Sequence, residues 1–354
     1  TQATWTATAT SRVLLEAGYS RFAFRSGRGP GIVAPDGNMS LIPVTEQSAI
    51  DNHPANFTYR ALSTYNASTA NPNNWRASMS YVTGSHNVKV GYQGAYQRDD
   101  NTVIANEPQL AYRFDNRVPN RFTARLPSWQ SGNRTATTSL FVQDSWTRNR
   151  LTLQGALRYD RAQSWSPAEG NGTTQTSRFN PEPILFERTD SVNAYHDLLP
   201  RFGVAYDVFG NGRTALKFSI GRYLASATND SIYVQNNPAN RIVTSFNRNW
   251  QDGNGNFVVD CDILDPAPQS TPGGDTCGAI TGNDLNFGKA GNNLTQVNPE
   301  LLHGWGVRPY NWQWGIDLQQ ELVPRVSAEV SYNRRWWGNF TVTDNQAVGP
   351  ADYE

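Results

Sequence analysis

The 354-residue sequence lacks long apolar runs and an excess of charge of either sign, and it has two cysteines. Without an apolar run of about 18 residues, the chain has no candidate transmembrane helix. Its 30 basic residues balance its 30 acidic residues, so bulk electrostatics argues against a nucleic-acid partner. A hydrophobic content of 38% also argues against a disordered chain.

The sequence also lacks the usual signatures of an enzyme. No G-x-S-x-G nucleophile elbow is present. The four histidines, His53, His86, His196 and His303, are far apart and show no H-E-x-x-H spacing. We therefore expect no enzymatic activity, and we expect each histidine to be a loop or turn residue.

What the sequence contains is a period-2 alternation of apolar and polar residues. Residues 87–97 place Val88, Val90 and Tyr92 on one face of a strand, and Lys89 and Gln93 on the other. Four further segments alternate in the same way: 150–160, 201–208, 311–318 and 326–333. Alternation alone is typical of any half-buried antiparallel sheet. A second face that is polar and ionic, with Trp and Tyr near the strand ends, favours a wet lumen and interfacial aromatic girdles.

The connections between these strands differ at the two ends. Short connections occur at residues 84–85, 148–150, 209–212 and 323–324, whereas 99–134, 165–197 and 227–308 are long and rich in Gly, Asn or Pro. Short periplasmic turns and long outer loops are typical of transmembrane barrels. The sequence therefore predicts an all-β protein, an antiparallel transmembrane β-barrel with long extracellular loops.

The pattern predicts about ten or eleven strands. At roughly 10 residues per crossing, the loops make up more than half of the sequence. The predicted strands are 2–10, 12–24, 75–83, 86–98, 135–147, 151–164, 199–208, 213–226, 310–322 and 326–337, and 57–64 is expected as a hairpin strand within an outer loop. Thr1 to Trp5 is already strand-like, so no signal peptide is expected. Both ends look cut, and the chain is expected to be a piece of a larger barrel.

Three segments in order resemble the barrel of TonB-dependent outer-membrane receptors, and in particular their Oar-like branch. They are 81–92 (YVTGSHNVKVGY), 141–146 (FVQDSW) with 151–160 (LTLQGALRYD), and 199–207 (LPRFGVAYD). The resemblance implies that residues 1–354 are a segment of a 22-stranded barrel in the outer membrane of a Gram-negative bacterium. This segment contains no recognisable plug domain or TonB box.

The resemblance further implies contact with outer-membrane lipid and, through regions absent from this chain, with the TonB–ExbB–ExbD system. It implies movement of a bulky solute or polypeptide across the membrane, with a substrate that the sequence does not identify. Two alternatives stay open. The barrel could anchor a surface adhesion or structural protein whose loops bind a partner, or the chain could form a soluble extracellular β-sheet assembly.

The long loop 227–308 contains a candidate calcium site. Its candidate ligands are Asp252, Asn254, Asn256, Asp260 and Asp262. Hard oxygen ligands alternating along a curved backbone are typical of calcium loops. Position 263 is Ile, so an EF-hand is excluded. The alternative is an Asx turn without metal.

Cys261 and Cys277 flank a Pro/Gly-rich part of the same loop. In an exported protein such a pair predicts a disulfide, with two reduced thiols as the alternative. Closing a loop of this length contributes about 3 kcal/mol. We expect the order of the loop to come from this crosslink rather than from a hydrophobic core. The Trp336–Trp337 pair predicts an outer aromatic girdle, with a ligand-stacking platform as the alternative.

Overall fold

The structure, a computed structural model, describes residues 1–28, 39–170, 178–180, 182–291 and 295–352. Its largest element is a sheet in which ten strands follow one another in chain order, with three short strands at the rim bringing the total to 13. The ten are β1 (Gln2–Thr10), β2 (Val13–Arg21), β3 (Thr64–Thr83), β4 (His86–Ala105), β5 (Ser128–Arg148), β6 (Leu151–Ser166), β7 (Ala194–Asp207), β8 (Thr214–Leu224), β9 (Tyr310–Val323) and β10 (Val326–Gly338).

Neighbouring strands of this sheet are antiparallel and joined in pairs by tight turns. Gly84, between β3 and β4, has φ +53°, and Asn149, between β5 and β6, also has φ +53°. Gly and Asn adopt this left-handed conformation more readily than other residues. The short turns therefore lie at one end of the sheet, as the sequence predicts.

The strands are longer than predicted at the other end. β3 and β4 each have 20 residues and β5 has 21, whereas a barrel strand crosses a bilayer in about 9 to 11. The prediction of a loop over 99–134 is therefore wrong at both of its ends, since β4 continues to Ala105 and β5 begins at Ser128. The polar sequence of these extensions is consistent with strands that stand in water above the membrane.

The two faces of the sheet divide as the alternation predicts. Leu140, Leu157 and Val330 lie on one face and are 55%, 46% and 72% exposed. Gln93 and Arg158 lie on the other face. A water-soluble sheet would bury such an apolar face, whereas here it is presented outward, as required for contact with lipid.

At the end of the ten-strand sheet opposite the tight turns, three chain segments combine into a second sheet. We refer to residues 39–63, 106–127 and 245–291 as the loop lobe. Its seven strands, in spatial order, are Gln269–Ser270, Thr276–Cys277, Ser245–Gln251, Val118–Arg125, Leu110–Asp115, Val44–Glu46 and Phe57–Tyr59. The predicted strand 57–64 is thus shortened to three residues, and the segment between β4 and β5 is a hairpin.

The loop lobe has its own hydrophobic core. Phe122, Phe246 and Trp250 are fully buried in it, together with Val44. The expectation that this region is ordered by its crosslink rather than by a core is therefore wrong. A fully buried aromatic side chain contributes roughly 1.5 to 3 kcal/mol, so the packed aromatics matter as much as one disulfide.

The remaining elements are short. Phe24–Arg28, Thr189–Asp190 and His303–Trp305 add to the rim of the main sheet, and Glu169–Gly170 pairs with Leu185–Phe186. The 3-10 helices are Ser231–Tyr233, Pro238–Arg241, Gly282–Asn286, Pro299–Leu302 and Pro350–Asp352. None of the helices in the described ranges is long and apolar enough to span a bilayer.

Candidate functional site: the inner face and the loop lobe

A row of small residues crosses the polar inner face of β6 to β10. The strand registers align Gln154, Gly203, Ser219, Gly315 and Asn333. Three of the five positions have little or no side chain, so the wall recedes where the row crosses β7 to β9. These residues form the floor of a groove of about 600 Å³.

The adjacent row along the same face includes three longer polar side chains, those of Arg201, Gln313 and Arg335. It aligns Ala156, Arg201, Gly221, Gln313 and Arg335, all of which line the groove. The Arg201 guanidinium lies 4.6 Å from the centre of the Tyr223 ring, which also lines the groove. Two guanidiniums and an amide beside a small-residue floor can hydrogen-bond the carbonyl or carboxylate oxygens of a solute.

The other half of the inner face is held by ionic and amide contacts. Lys89 Nζ lies 2.5 Å from Glu16 Oε2, joining β4 to β2. Arg158 on β6 donates to Gln93 Oε1 at 2.6 Å and to Ser139 Oγ at 2.7 Å. Charged side chains on this face are thus partnered within the wall, which keeps the whole inner face hydrophilic.

In the loop lobe, the candidate calcium residues form a hydrogen-bonded turn. The Asp252 carboxylate accepts backbone N–H groups of Gly255, Asn256 and Phe257 at 2.7, 3.2 and 2.9 Å. Asn254 Nδ2 donates to Asp260 Oδ2 at 2.6 Å. This pattern corresponds to the Asx-turn alternative.

Asp262 is engaged elsewhere, because its carboxylate accepts the backbone N–H of Leu264 at 3.1 Å. Within the part of the chain that the structure describes, no three His, Cys, Asp or Glu side chains are grouped to hold a metal ion. Asn256 Nδ2 also lies 3.4 Å from Asp260 Oδ2, so the side chains of Asn254, Asn256 and Asp260 meet in the turn. The calcium site stays a prediction from the sequence.

Cys261 and Cys277 form a disulfide, as expected from the sequence. Two neighbouring residues that the sequence did not single out organise the same region. Asp275 is fully buried, and its carboxylate accepts N–H groups from Trp250 Nε1 at 2.8 Å and from the Asp260 backbone at 2.9 Å.

Arg248, 1% exposed, is the second of these residues. Its guanidinium donates to five backbone carbonyl oxygens, those of Asp262, Ile263, Asp265, Ala267 and Gly278. Burial lowers the pKa of Arg248. The sequence does contain a signal for this buried arginine, because Arg248 lies between Phe246 and Trp250 at a core-facing position of an alternating strand.

The histidines are not gathered into a catalytic group, and their positions differ in part from expectation. His196 lies within β7, not in a loop, and its Nδ1 is 2.6 Å from the Tyr159 hydroxyl. His86 begins β4, and its Nδ1 is 2.6 Å from Asp144 Oδ2. Both pairs lie on the apolar side of the sheet, where each joins neighbouring strands.

The tryptophan pair divides between the two faces. Trp336 stacks on Trp312 of β9, with ring centres 6.3 Å apart, on the apolar face. Trp337 lies on the inner face, and the Arg335 guanidinium is 5.4 Å from its ring centre. The girdle interpretation thus describes Trp336, whereas Trp337 borders the polar interior.

A long antiparallel sheet with an apolar outer face, a polar inner face and tight turns at one end defines the class of membrane β-barrel proteins. Residues 1–335 match the family described as outer membrane beta barrel domain. Because the match spans most of the chain, the chain belongs to this family, and its location is the Gram-negative outer membrane.

Several solved structures are similar to this chain at low sequence identity. The outer membrane transporter YddB from Escherichia coli is 13% identical with a TM-score of 0.50 over 94% of this chain and 33% of its own. The copper transporter OprC is 11% identical with a TM-score of 0.39, covering 96% of this chain and 46% of its own. The RagAB peptide transporter is 13% identical with a TM-score of 0.39, covering 94% and 39%.

The chain thus spans about a third of the length of YddB and less than half of OprC and RagAB. At 13% identity the likeness to YddB shows the fold alone. Comparison with curated proteins finds no similar sequence.

Proposed function

We propose that residues 1–354 are the barrel segment of a TonB-dependent outer-membrane transporter of the Oar-like branch. In this proposal the barrel moves a bulky solute or polypeptide across the membrane, energised by TonB–ExbB–ExbD through regions outside this chain. The observation that carries the proposal is the groove over Gly203, Ser219 and Gly315. A barrel that served as a mere anchor would have no need of a recessed, hydrogen-bonding track on its inner wall.

Two glycines on adjacent strands provide a matched test. Gly203 faces the groove, and a Cβ atom added there would lie no closer than 3.6 Å to neighbouring atoms. Gly155 on β6 pairs with Phe202, faces outward, and has nothing within 4 Å of an added Cβ. Gly203→Trp should therefore fill the groove, whereas Gly155→Trp should place an indole in lipid.

The experiment measures, by mass spectrometry, which solutes cells expressing the full-length protein deplete from their medium. Depletion should be lost with Gly203→Trp and in cells without TonB, and kept with Gly155→Trp. Equal depletion by all three strains would contradict transport through this groove.

A barrel-anchored adhesion protein is the second candidate, favoured by the packed core and disulfide of the loop lobe. A rigid lobe presents a fixed surface to a partner, as adhesion requires. Under this hypothesis, cell attachment should be lost on deletion of residues 245–291 and be indifferent to Gly203→Trp and to TonB.

A further inference from the structure

One face of the loop lobe sheet carries three arginines. In the hairpin Leu110–Asp115 and Val118–Arg125, alternate residues such as Tyr112 and Phe122 enter the core. The residues between them belong to the opposite face, and there Arg113, Arg121 and Arg125 line one cavity. The cluster is thus built by strand alternation from two adjacent strands.

Arg113 and Arg121 repel each other, and no carboxylate of the described residues lines the cavity that they share with Arg125. Arg113 and Arg121 are directly opposed in the strand register, and like charges in directly opposed positions destabilise a sheet. Arg113 Nε donates to the neutral Asn120 Oδ1 at 2.9 Å. The Nε atoms of Arg121 and Arg125 are buried with no acceptor among the described residues.

The cavity has the volume of a small-molecule site, and its lining is mostly polar. Its volume is about 480 Å³, and no carboxylate is among the described residues that line it. Small-molecule sites commonly occupy about 300 to 1,000 Å³. Hydroxyl groups accompany the arginines, with Thr45 Oγ1 and Thr58 Oγ1 2.8 Å apart on the neighbouring strands.

Burial lowers the pKa of Arg125, and burial together with the Arg113 charge lowers the pKa of Arg121. Both directions mean that each cation is less favourable here than in water. An oxyanion between the guanidiniums would reverse this, since a guanidinium binds carboxylate or phosphate through two parallel hydrogen bonds.

We propose that this cavity is a binding site for a small organic molecule with two or more oxyanion groups, carboxylate or phosphate. Three guanidiniums in one cavity match more than one negative charge, and the threonine hydroxyls suit ligand oxygens between the anionic groups. The site goes beyond the transport proposal, because it holds whether the protein is a transporter or an adhesin.

Calorimetric titration of the purified protein in detergent at low salt tests the site, with citrate and pyrophosphate as probes. Arg113→Gln and Arg121→Gln should each weaken binding at least about tenfold, because each removes charged hydrogen bonds. Arg117→Gln is the matched control. Its side chain is 67% exposed and paired with Asp51, so it removes the same charge from the lobe outside the cavity.

The melting temperature of the unliganded variants separates binding from folding. Removing one of two opposed like charges should leave it unchanged or raise it at low salt, whereas arginines with a structural role would lower it. Absence of binding by both probes, or equal binding by Arg121→Gln and Arg117→Gln, would overturn the site for soluble ligands.

Phosphate groups also occur on lipid headgroups, and a second arm distinguishes this source. Vesicles containing lipopolysaccharide should bind the wild-type protein and Arg121→Gln equally, because the proposed ligand is a soluble molecule. Vesicle binding that depends on Arg121, without citrate or pyrophosphate binding, would overturn the soluble ligand and assign the oxyanion to the membrane.

Discussion

The ten-strand sheet and the loop lobe are both antiparallel β-structure, yet they differ in what lies on their faces. The ten-strand sheet exposes large apolar side chains on one side, and its hydrogen bonds run between its own strands. The loop lobe encloses its apolar side chains around Trp250. The ten-strand sheet therefore requires lipid around it, whereas the lobe is organised like a water-soluble domain.

A long loop of a barrel protein can therefore fold as a water-soluble domain does. The buried groups Arg248 and Asp275 satisfy backbone atoms of the lobe in the manner of a soluble core. The inner face of the barrel sheet instead leaves its polar groups toward the lumen. A substitution should thus damage one region and spare the other, depending on where it lies.

The largest effect is expected from Arg248→Ala. It deprives five backbone carbonyl oxygens of their donor, and a buried polar group left unsatisfied costs about 1 to 3 kcal/mol. We expect the lobe to lose roughly 3 to 5 kcal/mol, after partial rehydration, while the barrel persists. Limited proteolysis of the lobe and heat modifiability of the barrel measure the two separately.

Arg117→Ala, at an exposed position of the lobe, is the control for Arg248 and should leave both measurements unchanged. Simultaneous loss of lobe and barrel in Arg248→Ala would show that the two regions unfold as one unit. That result would contradict their separate stabilities.

Leu153→Arg should affect the barrel and spare the lobe. Leu153 lies on the apolar face between Trp146 and Val204, and an arginine there destabilises by roughly 2 to 4 kcal/mol near mid-bilayer. Gln154→Arg, one residue on, faces the groove and should be tolerated. Equal loss of heat modifiability in both variants would contradict the assignment of the two faces.

A smaller, pH-dependent effect is expected where the barrel strands meet the outer loops. Glu169, in the loop after β6, accepts the Gly132 N–H at 2.6 Å, and burial raises its pKa to about 7 from an ordinary 4.5. The folded state therefore holds the proton more tightly than the unfolded chain. Its stabilisation is fully present below pH 4.5 and is lost as the pH rises through about 7.

From about pH 5 to about pH 8, the melting temperature of the wild-type protein should fall more than that of Glu169→Gln. The neutral amide of the variant still accepts the Gly132 N–H, and it does not titrate. Glu187→Gln, in the same outer loop, should follow the wild type. Identical pH profiles for wild type and Glu169→Gln would remove Glu169 as the cause.

The smallest effect is expected from a chelator. Asp252 is engaged by three backbone N–H groups, so the turn has a metal-free explanation. Proteolytic cleavage near Asn254 should therefore be insensitive to chelation. Protection that appears with added calcium would support the calcium site predicted from the sequence and would make a metal the lobe's second stabiliser beside its core.

The sequence alone was sufficient for the barrel sheet. Alternation and turn chemistry act between residues a few positions apart, so the pairing of β3 with β4 across Gly84 follows from the local sequence. The strand ends were not predictable in the same way. The polar residues of 99–105 and 128–134 are compatible with a loop or with a strand in water. They form strands because the two segments pair with each other.

The loop lobe was decided by tertiary structure. Its core contains Val44, Phe122 and Trp250, which lie on three separate segments of the chain. No local sequence pattern predicts that these segments pack together. The same holds for the arginine cavity, because the strand register places Arg113 opposite Arg121, and no carboxylate is among the described residues that line the cavity. Local sequence was sufficient for the strands of the membrane sheet and for the pairs joined by tight turns, because alternation and turn chemistry act between residues a few positions apart. Only long-range packing determined the lobe and its candidate binding site.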